Sequence, residues 1–301
     1  MYQSIYNRLF VIASSFFIVA ITIFILPSWD NVMESYNSSI EEVKPEKVFP
    51  QVLVKASSAI VFDLETEEVL FSKNPNEQLP LASITKLMTA LVTVNNLDQL
   101  DTVTISSQDL AGGSNAGLVA GDTWSIKNLL DYTLVTSTNG GAAALARKVA
   151  LEKNEDFISL MNKKSEELRL DNTYFINPTG LDIGTEYGGS YGTARDTATL
   201  ISYIVKNYPN LLEATTKQTV RVVSNSGKVY SGQNTNDIIA HLPGLLASKT
   251  GFTYNAGGNL AIVFDAGLRQ PVAIVVLDST RETRFLDVQK LTEATIKFFA
   301  D

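Results

Sequence analysis

The chain has 301 residues, 45% of them hydrophobic and 19% charged, with nine prolines and a formal net charge of −8. That composition is globular, long enough for a sizeable core in one large domain or two small ones, and it argues against disorder, collagen and nucleic acid as the main partner. There is no cysteine and only one histidine, His241. Disulfides, thiolate nucleophiles and a histidine-rich metal cage are thereby excluded, no metal or cofactor is expected, and a Ser/His/Asp triad would rest on one residue.

Residues 9–26, LFVIASSFFIVAITIFIL, form an uncharged run of eighteen residues, about the minimum that spans a bilayer core of roughly 30 Å as a helix. The run is apolar on every face, unlike an amphipathic core helix. Arg8 precedes it and Asp30 and Glu34 follow, the polarity of an uncleaved anchor whose N-terminus stays inside. A cleaved signal peptide is the competing reading, although no A-x-A site follows the run. We expect a membrane anchor over residues 1–28, a polar tether over 29–55 and an exported globular domain over 56–301, on the extracytoplasmic side in either case.

Within the globular part, β-rich runs at 59–62 and 69–71 flank the polar LETEE turn and predict a hairpin. After Pro80, apolar residues Ile84, Leu87, Met88 and Leu91 recur at helical spacing with Ser83 near the first turn. Further helices are expected over 122–135, 141–151 and 156–168. The stretch YFINPTGLDIGTEYGGSYGTARD is dense in turn formers and predicts a long irregular loop, a kind that in compact domains is usually functional. Helix resumes over 193–203, a hairpin is expected at 220–223 and 228–230, strands at 260–264 and 272–277, and a closing helix over 283–299. Strands at both ends with helices between predict one α+β domain whose antiparallel sheet is built from both chain ends.

The stretch LASITKLMTA places Ser83 three residues before Lys86. A serine hydroxyl is a weak nucleophile until a base takes its proton. Without cysteine and with one histidine, lysine is the remaining candidate base. At i and i+3 on a helix the two side chains share a face about 5–6 Å apart. To act near neutral pH the amine must lose its proton, so its ordinary pKa of about 10.4 must fall through burial or nearby positive charge. Taken alone, S-x-x-K also describes a capping serine followed by a surface lysine.

Two more triplets follow. Ser137-Thr138-Asn139 comes after an apolar helix, where it could equally cap or stop one. Lys249-Thr250-Gly251 enters a strand-rich segment, where it could equally be a turn. In the order S-x-x-K, S-x-N, K-T-G, at intervals of 54 and 112 residues, the set resembles the active-site triplets of penicillin-binding proteins and serine β-lactamases. The blocks LASITKLMTALV, AGDTWSIKNLLDYTLVTSTNGGAAALA, FINPTGLD, GTARDTATLI and SKTGFTYNAGGNLA are similar to those of low-molecular-weight D-alanyl-D-alanine carboxypeptidases.

The resemblance implies a β-lactamase/transpeptidase-like α+β fold with a helical subdomain inserted in the sheet. It implies that Ser83 attacks the penultimate D-alanine carbonyl of a peptidoglycan stem peptide ending in D-Ala-D-Ala, with Lys86 as base and Ser137 relaying a proton to the leaving amine. Asn139 would hold the substrate amide. Lys249 and Thr250 would take its terminal carboxylate, Lys249 also depressing Lys86, while Gly251 lets the strand approach the ligand. The oxyanion hole would be the backbone N–H groups of Ser83 and Phe252, the latter standing where many relatives carry histidine. β-Lactams would be covalent inhibitors. Arg284 could reinforce the carboxylate site but also reads as a surface helix-capping residue, and His241 reads as structural.

Three alternatives stay open: a D,D-endopeptidase with the same residues, a β-lactamase, and a non-hydrolytic penicillin-binding sensor. A class A β-lactamase would need a glutamate in an E-x-x-x-N loop, and Glu186, followed by Tyr-Gly-Gly-Ser, does not match. Relatives often add a C-terminal β-domain with its own anchor. With fifty residues after Gly251, the expectation is that this domain is absent and that the N-terminal segment anchors the protein instead.

Overall fold

A computed structural model describes residues 47–267 and 269–300. The chain divides into two units, residues 1–47 and 48–301, and the account below concerns the second. The expected anchor and most of the tether lie outside the described residues, among which no helix is long and apolar enough to cross a membrane.

In chain order the first elements are β1 (Ser58–Asp63), β2 (Val69–Lys73), β3 (Leu79–Pro80), α1 (Lys86–Asn96), β4 (Thr102–Thr104), β5 (Thr123–Ser125) and α2 (Ile126–Thr136). Then come α3 (Asn139–Lys153), α4 (Phe157–Glu167), β6 (Tyr174–Phe175), β7 (Ser190–Gly192) and α5 (Ala194–Asn207). The chain closes with β8 (Thr219–Val223), β9 (Val229–Gln233), β10 (Leu245–Thr253), β11 (Gly257–Asp265), β12 (Pro271–Ser279) and α6 (Thr283–Ala300).

The Val/Ile-rich runs pair across the whole chain. β1 lies antiparallel to β12, Ile60 opposite Val275, and the five-stranded sheet has the order β10-β11-β12-β1-β2. Strand side chains alternate between faces, and here both faces are covered. Ile60, Ala261, Val263, Ala273, Val275 and Leu277 pack toward α5 and the helical part, while Val61, Leu260, Ile262, Phe264, Ile274 and Val276 pack toward Val288 and Leu291 of α6. This explains why the strands read as continuous apolar runs rather than as alternating ones.

Helix starts follow local capping chemistry. Ser125 Oγ accepts from Asn128 N at the head of α2, Asp156 from Ser159 N at α4, and Thr193 Oγ1 from Asp196 N at α5. The hairpins β1–β2 and β8–β9 form as expected. The small hairpin β4–β5 was not anticipated, because each of its strands has only three residues.

One boundary shifts. Packing begins at Val48 rather than at residue 56, since Phe49, Val52 and Val54 join the core under α6, and Phe49 meets Phe71 and Phe298 at 6.0 and 5.6 Å. The buried carboxylate of Asp287 on α6 accepts from Lys55 N and Ala56 N, both at 2.9 Å, and from Ser279 Oγ at 3.0 Å. Lys73 Nζ donates to the carbonyls of Val54 and Ala56. The polar composition of the expected tether hid this docking, because backbone groups and three scattered apolar residues carry it. Replacing Asp287 with alanine strips the acceptor from two backbone N–H groups, so urea unfolding should show a loss of roughly 2–4 kcal/mol.

Candidate active site

Ser83 lies not on α1 but in the 3₁₀ turn Ala82–Thr85 that leads into it. In such a turn residues i and i+3 eclipse one another, and this brings Lys86 Nζ to 2.8 Å from Ser83 Oγ. The helix start anticipated from the sequence is thus displaced by three residues, which improves the alignment of the pair. The turn is braced from behind. Thr85 Oγ1 donates to Ala82 O and meets Ser190 Oγ, while Asn259 Nδ2 holds Pro80 O. Gly180 presses on the same turn so closely that a Cβ there would fall 1.8 Å from Ala82 O, and its φ of +76° is one that glycine accepts without strain.

Lys86 is almost wholly buried. Its amine donates to Ser83 Oγ, to Asn139 Oδ1 at 2.8 Å and to Thr179 O at 2.7 Å, with no carboxylate among these partners. Burial without a counter-charge disfavours the ammonium, and the pKa is pushed down to about 7. Thr179 belongs to the Asn-Pro-Thr-Gly turn, whose Asn177 Oδ1 accepts from Thr179 N and Gly180 N and so aims the carbonyl. Thr89 Oγ1, one turn along α1, ties Pro178 O to the helix.

Ser137 ends α2 in the left-handed conformation, φ 59° and ψ 29°, a strained state for a residue with a side chain. Thr138 starts α3 without a side-chain cap, and Asn139 N instead donates to Ser114 O. The S-T-N triplet is therefore both helix stop and helix start, and the corner presents Ser137 and Asn139 to one cleft.

The K-T-G triplet lies on β10, the edge strand of the main sheet. Lys249 Nζ donates to Ser137 Oγ at 2.8 Å and to Thr250 O. Its pKa is held well below the ordinary lysine value, chiefly by burial and further by repulsion from Lys86 and Arg284. Burial is the main cause at Lys86 as well, and the repulsion between the two amines acts on both alike. Thr250 Oγ1 meets Thr235 Oγ1 at 2.6 Å. At Gly251 a Cβ would lie 2.8 Å from Leu81 O and 3.2 Å from Ser83 N. The glycine thus lets the strand approach the serine turn itself, rather than only a ligand.

Ser83, Ser137, Asn139, Thr250 and Phe252 line a cleft of about 620 Å³ together with Gly113, Ser114, Leu181, Thr235, Asp237, Arg281, Glu282 and Arg284. Lys86 and Lys249 do not line it themselves but are hydrogen-bonded to Ser83 and Ser137, which do. Gly251 lies on β10 between two lining residues, Thr250 and Phe252. Arg284 is not a surface cap: it is 6% exposed, its Nη1 donates to Gly251 O at 2.7 Å, and burial pushes its pKa down to about 10. Arg281 stacks over the Phe252 ring at 5.2 Å. His241 is exposed on the turn Ile239–His241, and neither it nor the exposed Glu186 lines the cleft. Sequence reasoning missed the roles of Thr179, Gly180 and Thr235. For the first two, the turn chemistry of the NPTG block was the available signal.

A family model described as D-alanyl-D-alanine carboxypeptidase matches residues 44–281. The D-alanyl-D-alanine carboxypeptidase DacF of Bacillus subtilis is 34% identical over 245 residues, covering 79% of this chain and 61% of that protein. The D-alanyl-D-alanine endopeptidase of Pseudomonas aeruginosa is 34% identical over 242 residues, covering 78% and 76%. The chain thus spans about three fifths of the Bacillus relative's length and three quarters of the Pseudomonas one. Penicillin-binding protein D2 of Listeria monocytogenes, solved in its ampicillin-bound form, superposes with a TM-score of 0.70 at 29% identity over 82% of this chain and 99% of its own. With a family match across most of its length, relatives at 34% identity and the α+β fold of penicillin-binding proteins, the chain belongs to the family of D-alanyl-D-alanine carboxypeptidases.

Proposed function

We propose that this chain is a serine-type D-Ala-D-Ala carboxypeptidase that removes the terminal D-alanine from peptidoglycan stem peptides through an acyl-enzyme and is acylated by β-lactams. The observation that carries the reading is the 2.8 Å contact between Ser83 Oγ and a buried Lys86 amine whose pKa has fallen to about 7. In its neutral form the amine keeps two N–H donors for Asn139 and Thr179 and offers its lone pair to the Ser83 hydroxyl, whose proton it takes as Oγ adds to the carbonyl carbon.

The rest of the cleft fits the same substrate. The peptide adds to β10, the free sheet edge, as an extra strand, with Asn139 beside its amide. Backbone N–H groups of Ser83 and Phe252 serve the developing oxyanion. Lys249, Thr250 and Arg284 form the cationic end, where a terminal carboxylate belongs. Ser137, bonded to Lys249 Nζ, gives its hydroxyl proton to the leaving amine and is reprotonated by the proton that Lys86 took, and water then hydrolyses the ester, restoring the Ser83 hydroxyl. Cleavage of cross-links by the same residues is the second reading, supported by the likeness to the Pseudomonas endopeptidase. A β-lactamase reading has less support, since Lys86's hydrogen-bond partners include no carboxylate to activate a deacylating water. A non-hydrolytic sensor would keep the acylation and lose the turnover.

We assign residues 9–26 to a single membrane anchor that holds the catalytic unit on the extracytoplasmic face, on the strength of the uncharged run and its flanking charges.

D-Alanine release from N-acylated Lys-D-Ala-D-Ala should be abolished in Ser83→Ala, together with the covalent adduct of a fluorescent penicillin. Lys86→Ala should acylate at least about a hundredfold more slowly. A stable adduct in wild type without any D-alanine release would support the sensor, and release only from cross-linked dimers the endopeptidase. Because the neutral amine is the reactive form, acylation should fall about tenfold per pH unit below an apparent pKa near 7 and level off above it. Cell fractionation should recover the full-length chain with membranes, released by detergent and not by salt; recovery of a shortened, soluble protein would show a cleaved signal peptide instead.

A further inference from the structure

Arg147 stands on α3 eight residues beyond Asn139, about 12 Å along the helix at 1.5 Å per residue. It touches neither Ser83 nor either buried lysine. Its Nε and Nη2 donate to the two carboxylate oxygens of Asp109 at 3.0 and 2.8 Å, and Nη2 also reaches Thr104 O at 2.7 Å. Asp109 is 5% exposed. Its carboxylate accepts from Ser106 N and its own N–H donates to Ser106 Oγ; burial works to raise its pKa, but the bonds from Arg147 and Ser106 hold the carboxyl below the usual range. A bidentate arginine on a buried carboxylate is directional and costly to break from one side, unlike the mobile ion pairs of the surface.

This clamp grips the root of the loop over residues 105–121. Beyond the root, Asn115 Nδ2 ties back to Leu110 O, and Tyr132 OH reaches Ala116 O. Between these two fixed points, Ser114 O accepts from Asn139 N at 2.8 Å and from Thr138 Oγ1 at 3.2 Å. Gly113 abuts the Asn139 amide so closely that a Cβ there would lie 2.7 Å from Nδ2. The loop thus supplies the cap that α3 lacks and fixes the side chain whose Oδ1 receives Lys86 Nζ.

We propose that Arg147 is a positioning residue for Lys86: by clamping Asp109 it registers the 105–121 loop on the start of α3, and so aligns Asn139 with the lysine amine. This rests on the assignment of Lys86 as the base. Loosening the clamp would let Asn139 drift and admit water to the amine. The other charged groups on that side are Lys249 of β10 and, behind it, Arg284 of α6, and neither is bonded to the loop.

The test is the second-order rate of acylation by a fluorescent penicillin, followed across pH, in Arg147→Met, Arg147→Lys and Asp109→Asn. Arg147→Met should slow acylation by about tenfold or more and move the rising limb of its pH profile upward as Lys86 regains solvent. Arg147→Lys, which keeps the charge and one donor direction, should recover part of both. Asp109→Asn combined with Arg147→Met should be no slower than the worse single variant, because the two act as one unit. Wild-type rate and limb in a less stable protein would overturn the proposal, leaving Arg147 a purely structural residue. Should Arg147→Met fail to fold, Asp109→Asn and Arg147→Lys give the same readout. A wild-type profile with no limb near pH 7 would overturn the base assignment itself, a separate result from an unmoved limb in the variants.

Discussion

The site is organised around an amine placed in the protein interior with no carboxylate to answer it. Lowering Lys86 from the ordinary lysine value to about 7 corresponds to a penalty on the order of 5 kcal/mol for its charged form. That penalty is what would make the amine a base, and the fold must meet it. Three acceptors do so: the Ser83 hydroxyl, the Asn139 side chain and the Thr179 carbonyl. Each arrives from a different part of the chain, so the serine turn, the α2–α3 corner and the NPTG turn must all be held rigidly at one point.

The architecture follows from that demand. The sheet provides a stiff edge, β10, against which the serine turn can press because Gly251 has no side chain. The helical part brings the S-T-N corner across from the other side, and Lys249 bridges to Ser137. Lys249 pays a second desolvation cost, increased by Lys86 and Arg284, and a carboxylate entering the cleft would relieve it. The arrangement therefore favours an anionic ligand end beside Ser83.

Legibility varied with the range of the interactions. The pairs within one turn, such as Ser83 with Lys86, could be read because three residues of spacing fix their relation in any helical geometry. The β1–β12 pairing could be anticipated from apolar runs at both ends of the globular part. What was misjudged depends on contacts between distant segments. Residues 48–55 looked like tether because their docking relies on backbone groups meeting Asp287, 231 and 232 residues away. Arg284 looked like a surface cap, yet its guanidinium is buried against Gly251. The low pKa of both lysines could not be read from spacing, because it depends on how deeply each is buried.

The sequence by itself determined the chemistry available: two serines, two lysines and an amide in three ordered motifs, no thiol and no second histidine, in a chain whose apolar patterning makes a two-faced sheet with helices. Spacing and composition suffice for this because they concern which groups exist and which local structures they favour. Only the tertiary structure decided that the amine of Lys86 is buried and its pKa pushed down to about 7, that Thr179 and Asn139 accept from it, and that Arg147 clamps Asp109. Burial and hydrogen-bond direction are properties of how segments far apart in sequence enclose a point, and no local pattern encodes them.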